Sequence, residues 1–265
     1  MNILTDINRI ESFFRRNSAL HLYELGDLDE FFFPYTAWYA LEEKGMISAL
    51  ALLYQGTELP VLLALEDAGS VSMPELLNEL KDKLPKRFYC HLTSGCEKPL
   101  EERFALEPHG THHKMTLTDK SMLDAVDVSN AVQLDARDKE EILEFYASAY
   151  SGNWFDVRML ETGQYFGIRH KGQLASIAGI HVYSPRYKVA ALGNIATLPE
   201  FRGQGLGTIV TAALCLKLLK TVEIIGLNVK TDNADAIRFY QKLGFEITTE
   251  YNEFMAKERG NRPPP

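Results

Sequence analysis

No stretch of this 265-residue chain approaches the roughly 20 consecutive apolar residues that a bilayer-crossing helix requires. The start, Met1-Asn2-Ile3-Leu4-Thr5-Asp6, meets charge too early and lacks the basic-then-apolar layout of a secretory signal. These absences set the expectation of a cytoplasmic protein with no membrane partner. Cysteine is scarce. Cys90, Cys96 and Cys215 are an odd number with no Cys-x-x-Cys pair, which argues against a disulfide framework and against zinc. Excess positive charge is missing too: the net charge is −8. An acidic surface repels phosphodiester backbones, so a nucleic-acid partner is disfavoured, whereas a cationic amine or basic peptide is compatible. Two common phosphate-binding signatures are absent as well. A dinucleotide fingerprint counted from Gly203 or Gly205 meets Thr208 or Val210 where its third glycine should stand, and no Gly-Lys-Ser/Thr occurs.

What is present is ordinary globular composition, with 46% apolar and 24% charged residues, enough to bury one large core or two modest ones. The second half reads as helix 137–150, strands 164–170, 173–184 and 188–197, helix 205–221, strand 223–230, helix 233–243 and strand 246–257. Such an order describes an α/β protein with a mixed sheet and helical crossovers. The first half repeats it loosely: helix 5–16, strands 36–41, 46–54 and 59–65, helix 74–83, strand 87–92, a short helix 97–104 and strand 114–118. A duplicated fold follows as the expectation, with domains at 1–120 and 128–260, a linker near 119–130, and a frayed tail from Gly260 to Pro265.

Chemistry concentrates in Arg202-Gly203-Gln204-Gly205-Leu206-Gly207, between a strand and a long helix. Alternating glycines let the backbone approach a ligand and aim several N–H groups one way, and the helix adds its open amides and dipole. This is a pyrophosphate cradle in outline.

Arg202-x-x-Gly205-x-Gly207 after a strand, Asn194-Ile195-Ala196-Thr197-Leu198-Pro199 before it, and Asn233-x-x-Ala236-x-x-x-Tyr240-x-x-Leu243-Gly244-Phe245 beyond it together resemble the GNAT superfamily of acyl-CoA N-acyltransferases over roughly 131–257. The resemblance implies a GNAT fold in the C-terminal half and a degenerate GNAT-like copy in the N-terminal half, a layout similar to glycine N-acyltransferase-like proteins. It implies acetyl-CoA as co-substrate and no metal. The pantetheine arm would lie along Ile195, Ala196 and Thr197, beside a bulge that frees a backbone N–H to polarise the thioester. Arg202, Gly203, Gln204, Gly205, Leu206, Gly207 and Thr208 would hold the pyrophosphate. Asn233 would bond near the pantetheine, and Tyr240 would protonate the departing thiolate.

The acceptor implied is a small-molecule or peptide primary amine. A non-catalytic acyl-CoA-binding sensor or assembly module, and an acyltransferase for longer acyl groups, stay open as alternatives, as does homo-oligomer formation. A general base is the missing part. The position where histone-type members carry a glutamate falls near Ala191. His181, expected opposite Ala190 across a two-residue hairpin at Pro185-Arg186, is the candidate, with Glu253 and water as others. His109, His112 and His113 read as a polar turn rather than a metal site, and Phe31 to Tyr35 with Trp38 and Tyr39 as core more than pocket lining. In the first half the place of the phosphate loop is taken by the acidic segment 66–70, so that copy is not expected to bind CoA; wall-building for the acceptor site or an oligomer interface would be its role.

Overall fold

The structure, a computed structural model, describes residues 1–67 and 71–260. Ala68 to Ser70 of the acidic segment, and the tail beyond Gly260, lie outside the described residues. The chain divides into two compact units: Met1–Lys114 with Lys230–Asp232 and the segment from Thr248 onward, and Met115–Val229 with Asn233–Ile247. An uninterrupted second domain over 128–260 is therefore not what forms, because the end of the chain groups with the first unit.

The first unit runs β1 (Asn2–Ile3), α1 (Ile7–Phe14), α2 (Leu22–Gly26), β2 (Thr36–Glu43), β3 (Met46–Tyr54), β4 (Val61–Ala64), α3 (Ser72–Leu80), β5 (Arg87–Leu92), α4 (Lys98–Glu101) and β6 (Phe104–Leu117). Asp6 starts α1 by accepting hydrogen bonds from the amides of Asn8 and Arg9 at 3.0 and 3.2 Å, relieving two of the unpaired donors at a helix start. Met73, Leu76, Leu77 and Leu80 fall on one stripe of α3 and are buried in a core with Leu62, Phe88 and Phe104. Each such side chain contributes about 1.5–3 kcal/mol of burial. Phe32, Trp38 and Tyr39 are buried as well. Of the aromatic run, Pro34 and Tyr35 remain exposed.

The second unit runs α5 (Ser121–Asp124), β7 (Val132–Leu134), α6 (Lys139–Ala149), β8 (Tyr165–His170), β9 (Gln173–Ser184), β10 (Val189–Thr197), α7 (Leu206–Leu218), β11 (Ile224–Lys230) and α8 (Ala234–Gln241), before β12 (Phe245–Glu258) returns to the first unit. Strands β7 to β10 form an antiparallel meander, and β11 joins β10 in parallel. In the first unit β1 to β4 are antiparallel, β4 and β5 parallel, and β12 lies antiparallel to β5, with Asn252 opposite Leu92 and Lys257 opposite Arg87. Each unit thus carries an antiparallel meander, a helical crossover and a parallel strand. In the second unit that crossover, α7, is buried along Val210 to Cys215 without interruption. Among the described residues no helix is long and apolar enough to cross a membrane.

Candidate functional site

In the second unit the chain leaves β10 through a 3-10 turn, Pro199–Phe201, and reaches α7 by way of Gly203 at φ +74° and Gly205 at φ +78°. A side chain at either glycine would meet open space, so glycine is required there by backbone conformation rather than by crowding. Gly205 caps α7 without a side-chain hydrogen bond. The first helical bond is Ile209 N–H to Gly205 O at 3.1 Å, which leaves the amides of Leu206, Gly207 and Thr208 ahead of the ladder at the positive end of the helix dipole. Arg202, Gly203, Gln204 and Gly205 are exposed. Arg202 Nε donates to Thr197 O at 3.2 Å, and Gln204 Nε2 to Glu200 O at 3.4 Å.

Strand β10 supplies the second feature. Among the described residues it pairs with β11 at Val189–Ile224, Ala190–Ile225 and Ala191–Gly226, although β10 runs on to Thr197 and β11 to Lys230. Where that pairing ends, β10 bulges. Gly193 faces Gly179 and Ala196 faces Ile177 on β9, so Asn194 and Ile195 together stand opposite the single Ala178. Asn194 takes φ +54°, a conformation that asparagine tolerates better than most residues. Its carbonyl accepts a hydrogen bond from Tyr146 Oη at 2.6 Å, and its Nδ2 donates to Tyr165 Oη at 3.1 Å. At the end of the strand, Thr197 Oγ1 lies 2.8 Å from the buried Ser176 Oγ.

Helix α8 brings in the remaining predicted residues. Asn233 is its N-cap and accepts from Ala236 N–H at 3.1 Å. Tyr240 is half-buried, its ring 4.8 Å from Phe239 and 5.9 Å from Phe245. Burial pushes its hydroxyl pKa up, so it is a phenol at neutral pH. His181 departs from expectation. Ser184 pairs with Val189 and Tyr183 with Ala190, so the β9–β10 connection is a four-residue loop, and His181 sits in a bulge between the positions facing Ala191 and Leu192, its ring against Gly193. Glu253 belongs to the first unit. There it accepts hydrogen bonds from the phenols of Tyr89 and Tyr251 and lies 3.5 Å from both His91 Nε2 and His112 Nε2.

The expected polar turn around 109–113 is instead part of β6. His113 Nδ1 lies 3.3 Å from Glu250, and His109 packs on the Tyr89 ring. Asn194, Tyr165 and Ser176 were not among the predicted site residues. The signal that points to them is indirect, since a polar residue within an apolar strand demands a partner.

Residues 129–245 match the family model described as Acetyltransferase (GNAT) family. A Bacillus subtilis (strain 168) protein, provisionally named a ribosomal protein bS18-alanine N-acetyltransferase, is 32% identical over 116 residues, 41% of this chain and 75% of its own length. A Drosophila protein of known structure matches with a TM-score of 0.71 at 11% identity, covering 97% of each chain. A tandem GNAT protein from the clavulanic acid biosynthesis pathway matches at TM-score 0.54 and 14% identity over 98% of each. Identities this low speak for fold alone, and the likeness in fold takes in both units.

Proposed function

The chain belongs to the acetyltransferase (GNAT) family, and from that premise we propose that it moves the acetyl group of acetyl-CoA to a primary amine of a small molecule, amino acid or peptide. The observation that carries this reading is the uncapped start of α7 behind Gly203 and Gly205, beside a strand that bulges where it parts from its neighbour. A diphosphate suits the amides of Leu206 to Thr208, with Arg202 and Gln204 at the rim. A pantetheine arm suits the main chain of Ile195 to Thr197, with Asn233 near its end.

In this scheme the neutral amine attacks the thioester carbon, a tetrahedral intermediate forms, and the C–S bond breaks. The nitrogen gives up a proton to a base, for which His181 is the candidate, and the leaving sulfur takes one from Tyr240 as CoA departs as its thiol. A thioester is already activated, so positioning, one acid and one base supply most of the rate. The provisional name of the Bacillus relative makes an α-amine on alanine a reasonable acceptor to try first.

Calorimetry with acetyl-CoA, longer acyl-CoAs and NAD tests the donor. A ligand at 100 times its Kd stabilises by about 2.7 kcal/mol, visible as a melting shift. Thiol release with an alanine-initiated peptide and a panel of small amines tests transfer. Tyr240→Phe is expected to lower kcat about a hundredfold with CoA affinity within about twofold. Binding of acetyl-CoA without transfer to any amine favours the sensor reading, and no binding at all refutes the proposal.

A further inference from the structure

We propose that Tyr146 and Tyr165 are positioning residues of the acyl-transfer site, holding the left-handed kink at Asn194 that sets where the main chain of Ile195 and Ala196 meets an incoming thioester. The proposal rests on the acyl-CoA reading above and adds to it two residues that touch neither donor nor acceptor.

The kink needs outside support. A residue with a Cβ leaves the left-handed region easily unless its surroundings over-determine it, and here two fixed elements do so. Tyr146 comes from α6 and donates to Asn194 O at 2.6 Å. Tyr165 comes from β8; its hydroxyl receives Asn194 Nδ2 at 3.1 Å and donates to Ile180 O at 3.0 Å. The kink is thus tied through its carbonyl to a helix and through its side chain to a neighbouring strand.

Both phenols are buried, as is Asn194, and water does not compete for these bonds. Phe155 lies between the two tyrosines, 5.1 Å from the ring of Tyr146 and 5.5 Å from that of Tyr165, which limits their movement. Space for the Tyr165 ring exists because residue 179 is glycine; a Cβ there would fall 2.1 Å from Tyr165 Cε1. Helix, strand, glycine and aromatic spacer converge on one backbone angle. The two residues displaced by that angle, Asn194 and Ile195, carry main-chain groups that β9 does not match one for one. Their direction is what preorganised polarisation of a carbonyl depends on.

The test uses the full chain and acetyl-CoA labelled with 13C at its carbonyl. Infrared spectroscopy of the bound thioester reads the hydrogen bond to that carbonyl without any acceptor, and calorimetry reads affinity. In the wild type the stretch moves to lower wavenumber on binding. In Tyr146→Phe and Tyr165→Phe that displacement shrinks, while acetyl-CoA affinity stays within about threefold because the phosphate loop is untouched. Where an amine acceptor turns over, kcat falls about ten- to a hundredfold at unchanged KM for acetyl-CoA.

Asn194→Gly keeps the backbone angle available and removes the side-chain bond to Tyr165, so it covers the case in which Tyr165→Phe does not fold. The double variant Tyr165→Phe/Asn194→Gly is no worse than the poorer single variant, since both delete one bond. A lower melting temperature with an unchanged carbonyl stretch in every variant makes the tyrosines merely structural and overturns the proposal. A wild type that does not bind acetyl-CoA overturns the donor assignment first, and this proposal with it.

Discussion

The two units place a helix after a strand in the same way and then treat its N-terminus oppositely. After β4, Glu66 turns back so that one carboxylate oxygen accepts from the amides of Ser72 and Met73, both at 2.9 Å. The start of α3 has its own anion. After β10 the chain places glycine where a capping side chain would stand, and the first amides of α7 stay open. The interiors differ as well. Among the described residues the buried acids, histidines and lysine, His21, Glu24, Asp27, His112, Lys114 and Glu253, all belong to the first unit, whereas the buried polar residues of the second include Gln164, Ser176, Ser184, Asn194 and Thr211. The same crossover has its first amides claimed by a carboxylate in one unit and left open in the other, and likeness of fold does not carry that property along.

Making the second unit resemble the first should give the largest effect. Gly205→Asp puts a carboxylate at the start of α7, and aspartate accepts positive φ more readily than most residues. Helix stability is expected to hold. Acetyl-CoA affinity is expected to fall at least about a thousandfold, about 4 kcal/mol, from lost amide contacts and charge repulsion. Calorimetry of variant and wild type decides it. Undiminished binding would show that the amides of Leu206 to Thr208 are not the anion site.

This crossover is also where the sequence was most legible. Glycine spacing and helix signals are local, so β10 and the start of α7 fall within one residue of their expected bounds, although α7 ends at Leu218 rather than Thr221, and β5 falls on its expected bounds. What stayed hidden depends on tertiary partners. The periodicity of β12 is visible, but its choice of β5 as neighbour is not. Strand β6 contains Pro108 and Gly110, which read as a turn, yet it extends over 14 residues. Pro185-Arg186 reads as a two-residue turn, which sets His181 opposite Ala190; the loop instead runs from Pro185 to Lys188 and Tyr183 takes that place. The tyrosine pair at Asn194 joins residues 29 and 48 positions apart, a separation that no local pattern spans.

Acid should separate the units by a somewhat smaller amount. Burial lowers the pKa of His91 from 6.5 to about 4 and also lowers that of His112. The imidazoles are therefore held neutral in the fold, and the stability they carry drains as pH falls below about 6.5. Glu253, beside both imidazoles and two phenols, and Glu24, beside His21, are held below the usual carboxylate range despite burial. Their contribution is present above about pH 4.5 and is lost as pH falls through their folded values.

Lys114, packed over Tyr23 and Tyr251, has its pKa lowered by burial, so its penalty sets in as pH falls below about 10.5, ahead of the imidazoles. Asp27 works the other way, since burial beside Glu24 raises its pKa and acid favours its folded form. The groups lost to acid outnumber it. His91 alone accounts for about 3 kcal/mol by pH 4. Trp38 is 2% exposed in the first unit and Trp154 43% exposed in the second, so a Trp154→Phe variant isolates the first. Red-shifted Trp38 emission below about pH 4.5, while α7 amides still resist hydrogen exchange, is the expected outcome. Simultaneous loss of both signals would erase the distinction between the two interiors.

The smallest effect sharpens the comparison from the other side. Glu66→Ala removes the carboxylate from the start of α3 and should cost about 1 kcal/mol, as cap deletions do. Glu66→Gln keeps a hydrogen-bond acceptor but no charge, so it should cost less. Neither is expected to create a second coenzyme site, because α3 lacks the alternating glycines that bring backbone close to a diphosphate, and Val71 rather than glycine precedes Ser72. Denaturant melts give the energies, and calorimetric stoichiometry gives the meaning. One equivalent of acetyl-CoA per chain in both variants leaves two barriers in the first unit, a filled anion site and the wrong loop. A second equivalent in Glu66→Ala would reduce them to one, and that carboxylate alone would then separate a silent copy from a coenzyme-binding one.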